Sequence, residues 1–535
     1  MLPWSRVRRP AGWLAVGAAI ATGCHAKPVA LPAGHLPPPS ALPDLQTAGR
    51  LTRVGDGPAR PADRPKLELH GVLPGASAKP IAPPKFGPDT PAAEREKAVR
   101  DLFPQSEVIP ASGVVELPPD GRGLTLADLQ QMAAENSPVL RRAAADAEAA
   151  YGTVIQAGLH PNPTVGYQVD QWQPSLRVPA RSTGSGVGQQ GGFVNQLVKT
   201  AGKLTLAQKV AGFDYLNAVV AVRRAQVDTA ASVRTQFFAV QIAHQSVEVY
   251  RALAELADEV YAIELKQVAA GEAAAYEPLQ VYAQAEQARN ALTLAEQNYR
   301  AAWRQLAAAV GRPDLPASPL VGRADSPPPA FDAGTLTARV LEQHTDLLTA
   351  RNAIARAEVN LVLQKRTPIP DLSTNSYHQY DNLAQTYQFG VQLGIELPVS
   401  DRNQGNVRQA TAKLARAHED LRATENDLLG RVAEAFARYE ANRAIAERYR
   451  EKILPNLTRA YRAIVKRNQV EPEKVSFSDV VVAQQNLGQA MQNYLTALDS
   501  QWKAVVDVAN LGQLDELYPA PPPANPAEVA PPPKK

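Results

Sequence analysis

The chain has 535 residues, with 56 Lys plus Arg against 53 Asp plus Glu, a formal net charge of +3. So balanced a charge carries no global signature of a nucleic-acid partner. The length allows several domains or one long repeated one, and the single cysteine leaves none to pair with it in a disulfide.

At the N-terminus Arg6, Arg8 and Arg9 precede a short apolar run, Ala11 to Ala21, that ends in small residues at Gly23-Cys24. A basic region followed by a short apolar stretch reads as an export signal over residues 1–23, too short for a spanning helix. The segment IATGC resembles a bacterial lipobox, which implies lipidation at Cys24. An ordinary signal peptide with a chance cysteine is the alternative. In the bacterial pattern an Asp after the cysteine favours inner-membrane retention; His25 stands here and leaves the outer membrane open. Residues 24–120 are rich in Pro, Gly and Ala, as in ALPAGHLPPPSALP, and are expected to form a largely extended, disordered leader. Residues 519–535 form a similar Pro-rich tail.

Between these ends one plan runs twice, over residues 121–320 and 321–518. The first copy is expected to hold a helix from Leu126 to about Ala157, a Pro161-Asn162-Pro163 break, a strand at 164–172, a Gly- and Ser-rich loop reaching through Gly184 to Gly192, a strand at 193–199 and then a very long helix. The second copy is expected to hold a helix from about Leu336 to Lys365, a Pro368-Ile369-Pro370 break, a strand at 372–380, a strand at 387–397 and then long helix again. Val249, Leu253, Leu256, Val260 and Ile263 follow the alternating four- and three-residue spacing of a coiled-coil seam, as do Val281, Ala285, Ala288, Leu292, Ala295 and Tyr299. A helix of about 65 residues, from Leu204 to near Ala269, would extend about 100 Å. In the second copy the matching run, Val407 to Val470, contains Pro455, which should kink or segment it; a last helix should run from Ser476 to near Leu514.

The strand at 387–397 alternates strictly. Tyr387, Phe389, Val391, Leu393, Ile395 and Leu397 are apolar, and the residues between them are polar or glycine, until Pro398. A strand on a soluble core gives this pattern, and so does a strand of a membrane β-barrel with lipid outside and water inside. Its length favours the membrane.

Two stretches resemble the TolC family of outer-membrane efflux ducts, in its lipoprotein type. LTLADLQQMAAENSPVLRRAAADAEAAYGTVIQAGLHPNPTVGY is similar to the family's opening, and IELPVSDRNQGNVRQA to its second strand-to-helix junction. The resemblance covers Gly121 to about Tyr518. It implies a mainly α protein with membrane β: a trimeric 12-stranded β-barrel, four strands per protomer, continuing into a long α-helical barrel of coiled-coil helices. It implies a passive exit duct, working with a periplasmic adaptor and an inner-membrane pump. The alternation then places Tyr387, Phe389, Val391, Leu393, Ile395, Leu397, Val165, Tyr167 and Val169 toward lipid. Gln388, Gln392, Glu396, Gln168 and Asp170 are placed toward the pore, and Phe193 to Lys199 is left without a facing. The periplasmic entrance and adaptor tips fall at Gly271, Glu277 and Pro278 and at Lys474 and Asp479. The family's second tip aspartate falls on Val482, so one acidic ring is expected, with helix capping as the other reading of Asp479.

No phosphate-binding Gly loop, HExxH or CxxC is present in the sequence. His160, His344 and His378 are widely separated, and the methionines are Met1, Met132 and Met491, so no metal site, cofactor or enzymatic set is expected. A lipid-anchored periplasmic coiled-coil scaffold is the competing reading; it accounts for the helices but leaves the strands unused. The Asp401–Gly405 junction is reminiscent of the heavy-metal branch of the family, and other branches share it.

Overall fold

The computed structural model describes residues 74, 76–79, 81, 84–87, 89–106, 108–109, 123–172, 187–382, 384–471 and 474–518. The chain divides into Met1–Lys79, nearly all of it outside the described residues, and Pro80–Lys535. The signal segment, Cys24, the tail and most of the leader therefore lie outside the described residues. The leader is not extended throughout. Helix α1 spans Ala92–Leu102, its run AAEREKAVRDL begins just after Pro91, and it buries Val99. Good helix formers and one apolar stripe override the Pro-rich context there.

The first predicted helix is two. α2 spans Leu126–Asn136 and α3 spans Pro138–Gly158, separated by Ser137 at φ −62°, ψ 121°. A residue before proline is pushed out of the α region, and Pro138 then starts the next helix at a position that needs no amide donor. Thr125 closes a capping box with Asp128 at the start of α2. The sheet follows, with β1 (Thr164–Trp172) and β2 (Val187–Val198). β2 begins inside the stretch expected to be a glycine loop, because pairing on both edges outweighs the poor strand propensity of Gly191 and Gly192. α4 then runs unbroken through Lys203–Ala270, 68 residues or about 102 Å at 1.5 Å per residue. It ends on Gly271, whose φ of 82° favours a residue without a Cβ. α5 spans Glu277–Val310.

The same order recurs. α6 (Ala333–Gln343) and α7 (Thr345–Arg366) replace the single predicted helix, broken at His344, whose Nδ1 accepts the Asp346 amide. β3 (Leu372–Asp381) and β4 (Thr386–Ile395) follow. β4 stops two residues short of Leu397, ahead of Pro398, which has no amide donor for a ladder. α8 (Gln404–Arg448) passes through a π turn at Tyr449–Ile453 into α9 (Leu454–Val470). The wider turn sits where Pro455 removes an amide, so the proline is absorbed without ending the rod. α10 spans Phe477–Leu511.

The waist of the rod carries the largest core. Phe238 stacks on Trp502 with centroids 3.7 Å apart. Trp502 Nε1 donates to the Ala324 carbonyl at 2.7 Å, Trp303 Nε1 to Leu315 at 3.1 Å, and the Tyr439 hydroxyl to Pro329 at 2.7 Å. These indole and phenol donors tie the non-helical 312–332 segment onto the helices and leave no donor of their own unpaired. No described helix is long and apolar enough to cross a membrane.

Candidate channel wall and entrance

The four strands form one antiparallel sheet in the order β1-β2-β3-β4. Directly paired residues of antiparallel strands share a face, so the register sorts every side chain. Val165 pairs with Val194 and Tyr167 with Gly192; Phe389 pairs with His378, Val391 with Ser376, Leu393 with Thr374 and Ile395 with Leu372. Followed across the sheet, these rows put Val165, Tyr167, Val169, Tyr387, Phe389, Val391, Leu393 and Ile395 on one face. That face is bare: Val165 is 74 %, Tyr387 and Phe389 72 % and Leu393 66 % exposed. Its upper rows carry rings, with Tyr387 against Tyr380 and stacked on His378. Leu397 and Glu396 lie just past the strand end.

The opposite face holds Gln168, Asp170, Gln388 and Gln392, and also Phe193, which the sequence left unassigned. One row carries its charge and the adjacent row carries amides that donate to it. Asp170, Gln189 and Asp381 form one row; Gln168, Gly191, Gln379 and Gln388 form the next. Gln168 and Gln379 donate to Asp170 at 2.9 and 3.0 Å, and Gln189 and Gln388 donate to Asp381 at 3.2 Å. The following row reads Gly166, Phe193, Tyr377, Gly390. A Cβ on Gly166 would collide with the Phe193 ring, and one on Gly390 with the Tyr377 ring. The two rings therefore lie over the glycines along the wall. Asp381 and Tyr377 were missed because only the cross-strand register reveals them.

The sheet joins the helices through polar hinges. Asp371 accepts from Lys199 and Lys203, each at 2.8 Å, and from the Thr200 amide at 3.0 Å. Burial opposes its charge, but these donors win and hold its carboxyl well below the ordinary range. In the second copy Asn403 takes φ 59° at the start of α8, where Gly202 takes φ 68° at the start of α4. Asn403 Nδ2 donates to the Gln364 carbonyl at 2.8 Å, and its own amide donates to Asp401 at 2.8 Å. The DRNQG stretch is thus a turn that pins α8 to the end of α7.

At the far end the helices pair into two hairpins. The α4–α5 tip carries Gly271, Glu277 and the buried Pro278; the α9–α10 tip carries Lys474, paired with Glu471 at 3.2 Å, and Asp479. Asp479 completes a capping box, its carboxylate accepting the Ser476 amide at 2.9 Å and hydroxyl at 2.8 Å. Capping therefore engages this side chain, while leaving it exposed. A cavity of about 560 Å³ between the tips is lined by Glu277, Gln280, Gln284, Asn468 and Phe477 among others. The buried stripe of α4 toward this end is displaced from the expected seam: Val249, Leu253 and Leu256 are only part-buried, and Ala254, Ala257, Val260, Tyr261 and Val268 fill it. Ile263 is 43 % exposed, and Glu264 occupies the buried position, 0 % exposed, with neither carboxyl oxygen hydrogen-bonded within good geometry. Burial, then the facing Glu277 carboxyl, raises its pKa to about 8. Val260, Glu264 and Val268 are spaced by four, so the signal was a carboxyl on the apolar stripe. Among the described residues no group of three or more His, Cys, Asp or Glu is placed to hold a metal ion.

The model of the outer membrane efflux protein family matches residues 129–312 and 336–511, most of the chain. The chain belongs to this family. The matched blocks bracket the two runs of elements described above. The efflux protein is 26 % identical over 387 residues to the cobalt-zinc-cadmium resistance protein CzcC of Cupriavidus metallidurans, covering 72 % of this chain and 89 % of that relative. Its fold is similar to the crystal structure of the outer membrane protein VceC of Vibrio cholerae, with TM-score 0.60, 18 % identity, and coverage of 72 % of this chain and 96 % of that one. It is likewise similar to a membrane protein from Pseudomonas aeruginosa, with TM-score 0.63, 18 % identity, and coverage of 76 % and 99 %. The efflux protein is an outer-membrane channel component.

Proposed function

We propose that the efflux protein is a passive homotrimeric exit duct, lipid-anchored at Cys24, that receives substrate from a periplasmic adaptor and inner-membrane pump. The observation that carries the reading is the sheet: one face on which β1 and β4 expose rows of apolar side chains, an opposite face made mostly of polar residues and glycines, and, among the described residues, no partner for the outer edges of β1 and β4. Open edges are not tolerated in lipid. Four strands are too few to enclose a channel, whereas three copies of a four-stranded sheet make a 12-stranded barrel of ordinary kind. The polar face, with Asp170, Asp381, Gln168, Gln388 and Gln392, then lines the pore, and the tripled carboxylates favour cations. Glu396 stands at the inner mouth. Divalent metal ions are the first cargo to test, because the similar CzcC is named for cobalt, zinc and cadmium resistance. The two runs of elements support an origin by duplication.

The test is native mass spectrometry and planar-bilayer recording on the detergent-purified protein. Trimers of about three times 57.4 kDa, less the signal segment, with stable cation-preferring conductance are expected. A protein that stays monomeric and non-conducting would overturn the duct in favour of the anchored scaffold.

A further inference from the structure

Helix α1 lies outside the family match, which begins at residue 129. It rests on the tip of the α4–α5 hairpin. Val99 and Phe103 are 1 % and 4 % exposed, packed on Val268 and Ala269 of α4, with Leu265, Ala273 and Leu279 around them. Ile81 and Phe86 complete the same cluster. Past the helix, the Tyr261 hydroxyl donates to the Pro104 carbonyl at 2.7 Å, and the Ser106 hydroxyl donates to Asp258 at 3.2 Å. Arg289 of α5 grips the same Asp258 carboxylate at 2.7 and 2.9 Å, so the leader, α4 and α5 meet there. The outward side of α1 is charged, with Glu94, Lys97, Arg100 and Asp101.

We propose that the flank of the α4–α5 tip is a helix-docking groove which the leader fills in cis through Ile81, Phe86 and residues 89–106, as a latch that a partner's helix displaces. The occupant seen in the structure defines what the groove accepts: an amphipathic helix with two apolar anchors four residues apart, followed by an extended stretch that offers a carbonyl to Tyr261. Displacement is feasible because the latch is shallow. Within α1 and its C-terminal flank, only Val99 and Phe103 are fully buried, and the tail end is held by two side-chain hydrogen bonds. A segment that buries so little does not far outweigh the entropy of ordering it. Tethering nevertheless gives the latch an effective concentration on the order of millimolar, so it excludes weak or dilute competitors. The groove deepens the duct reading by assigning the tip a partner class. That the displacing helix belongs to the adaptor rests on that reading; the cis latch does not.

The experiment uses the full chain in detergent and a fluorescent synthetic peptide of residues 81–106. The double variant Val99→Asp, Phe103→Asp should release the latch, seen as protease cleavage within 92–106 while the hairpin stays protected. The released chain should then bind the peptide saturably, at least tenfold more tightly than the unmodified chain. Adding Val268→Asp should abolish that binding. Equal peptide binding by the unmodified and released chains, or no binding by the released chain, would overturn the latch. Peptide binding is read without reference to trimers or conductance, so a failed duct assignment leaves it interpretable.

Discussion

Glycines on the polar face of the sheet do two different jobs, and the difference predicts opposite phenotypes. A Cβ on Gly390 would meet only the far end of the Tyr377 side chain, and a ring can swing. A Cβ on Gly191 would meet the His378 carbonyl and the Gln379 Cα, which belong to the paired strand and cannot swing. Gly390→Ala should therefore leave the protein assembled and tip Tyr377 into the lumen, lowering single-channel conductance; Tyr377→Ser in the same chain should restore it. Gly191→Ala should force β2 from β3 at a cost of about 1–3 kcal/mol or more per copy, read as loss of folded protein in heat-modifiability gels. If Gly191→Ala assembles as well as Gly390→Ala, the close approach of β2 and β3 is not required. At the barrel–rod joint, Asp371 has a depressed pKa, so its contribution to stability is present above the ordinary carboxylate range of about 4 and is lost as pH falls below it. Asp371→Asn should flatten that acid limb in thermal melts recorded from pH 6 to pH 3; an unchanged limb would assign acid sensitivity to other carboxylates.

Helices and strands were legible in the sequence to different depths. The long helices follow from a proline-free seam with two-period spacing, and α4 begins and ends within a residue of the expected positions. The break at Ser137 is marked by Pro138 and by the Asn-Ser-Pro turn that the family resemblance implies, although a single helix from Leu126 to about Ala157 was expected. The break at His344 has no proline beside it and lies hidden inside continuous apolar periodicity, because a single residue leaving the α region does not disturb the pattern on either side. β1 was read to the residue, since Pro163 and the alternation bound it on the sequence itself. β2 was read only in its second half, because its glycines are made into strand by neighbours on both sides, which local propensity does not record. The seam gives this scale its own prediction. Glu264 faces Glu277 across α4 and α5, with the Tyr261 and Tyr282 rings in contact nearby. Its carboxyl is protonated in the folded tip below about pH 8 and ionised in the unfolded chain above about pH 4.3. The folded state therefore holds the extra proton between those values, and tip stability falls as pH rises through that window. Hydrogen exchange over 255–285, corrected for intrinsic rates, should show progressive loss of protection from pH 6 to pH 9. Glu264→Gln should abolish the pH dependence and protect the tip at pH 9. A tip whose protection is independent of pH in the unmodified protein would mean that burial beside Glu277 does not keep Glu264 protonated.

At the scale of the whole molecule, the duct depends on a sheet with lipid on one side and water on the other, and neighbouring residues of one strand test both sides at once. Leu393 and Gln392 differ by one position in β4 and by one face of the sheet. An arginine on the lipid face near the bilayer midplane costs about 2–4 kcal/mol, and in a trimer the cost is borne three times. Leu393→Arg should therefore strip the protein from the outer-membrane fraction or block trimer insertion into liposomes. Gln392→Arg places the same side chain on the face that carries Asp170 and Asp381, where water solvates it. It should insert normally and shift the reversal potential in a salt gradient toward anions, because three added cations oppose the tripled carboxylates. The two variants share a charge, a size and a strand, so differences in expression or helix assembly cannot separate them; only the solvent on each face can. Equal tolerance of both would place the sheet in water on both sides and return the chain to a periplasmic scaffold. Equal failure of both would mean that the polar face is packed, and the barrel would then need a lumen filled by protein instead of by solvent.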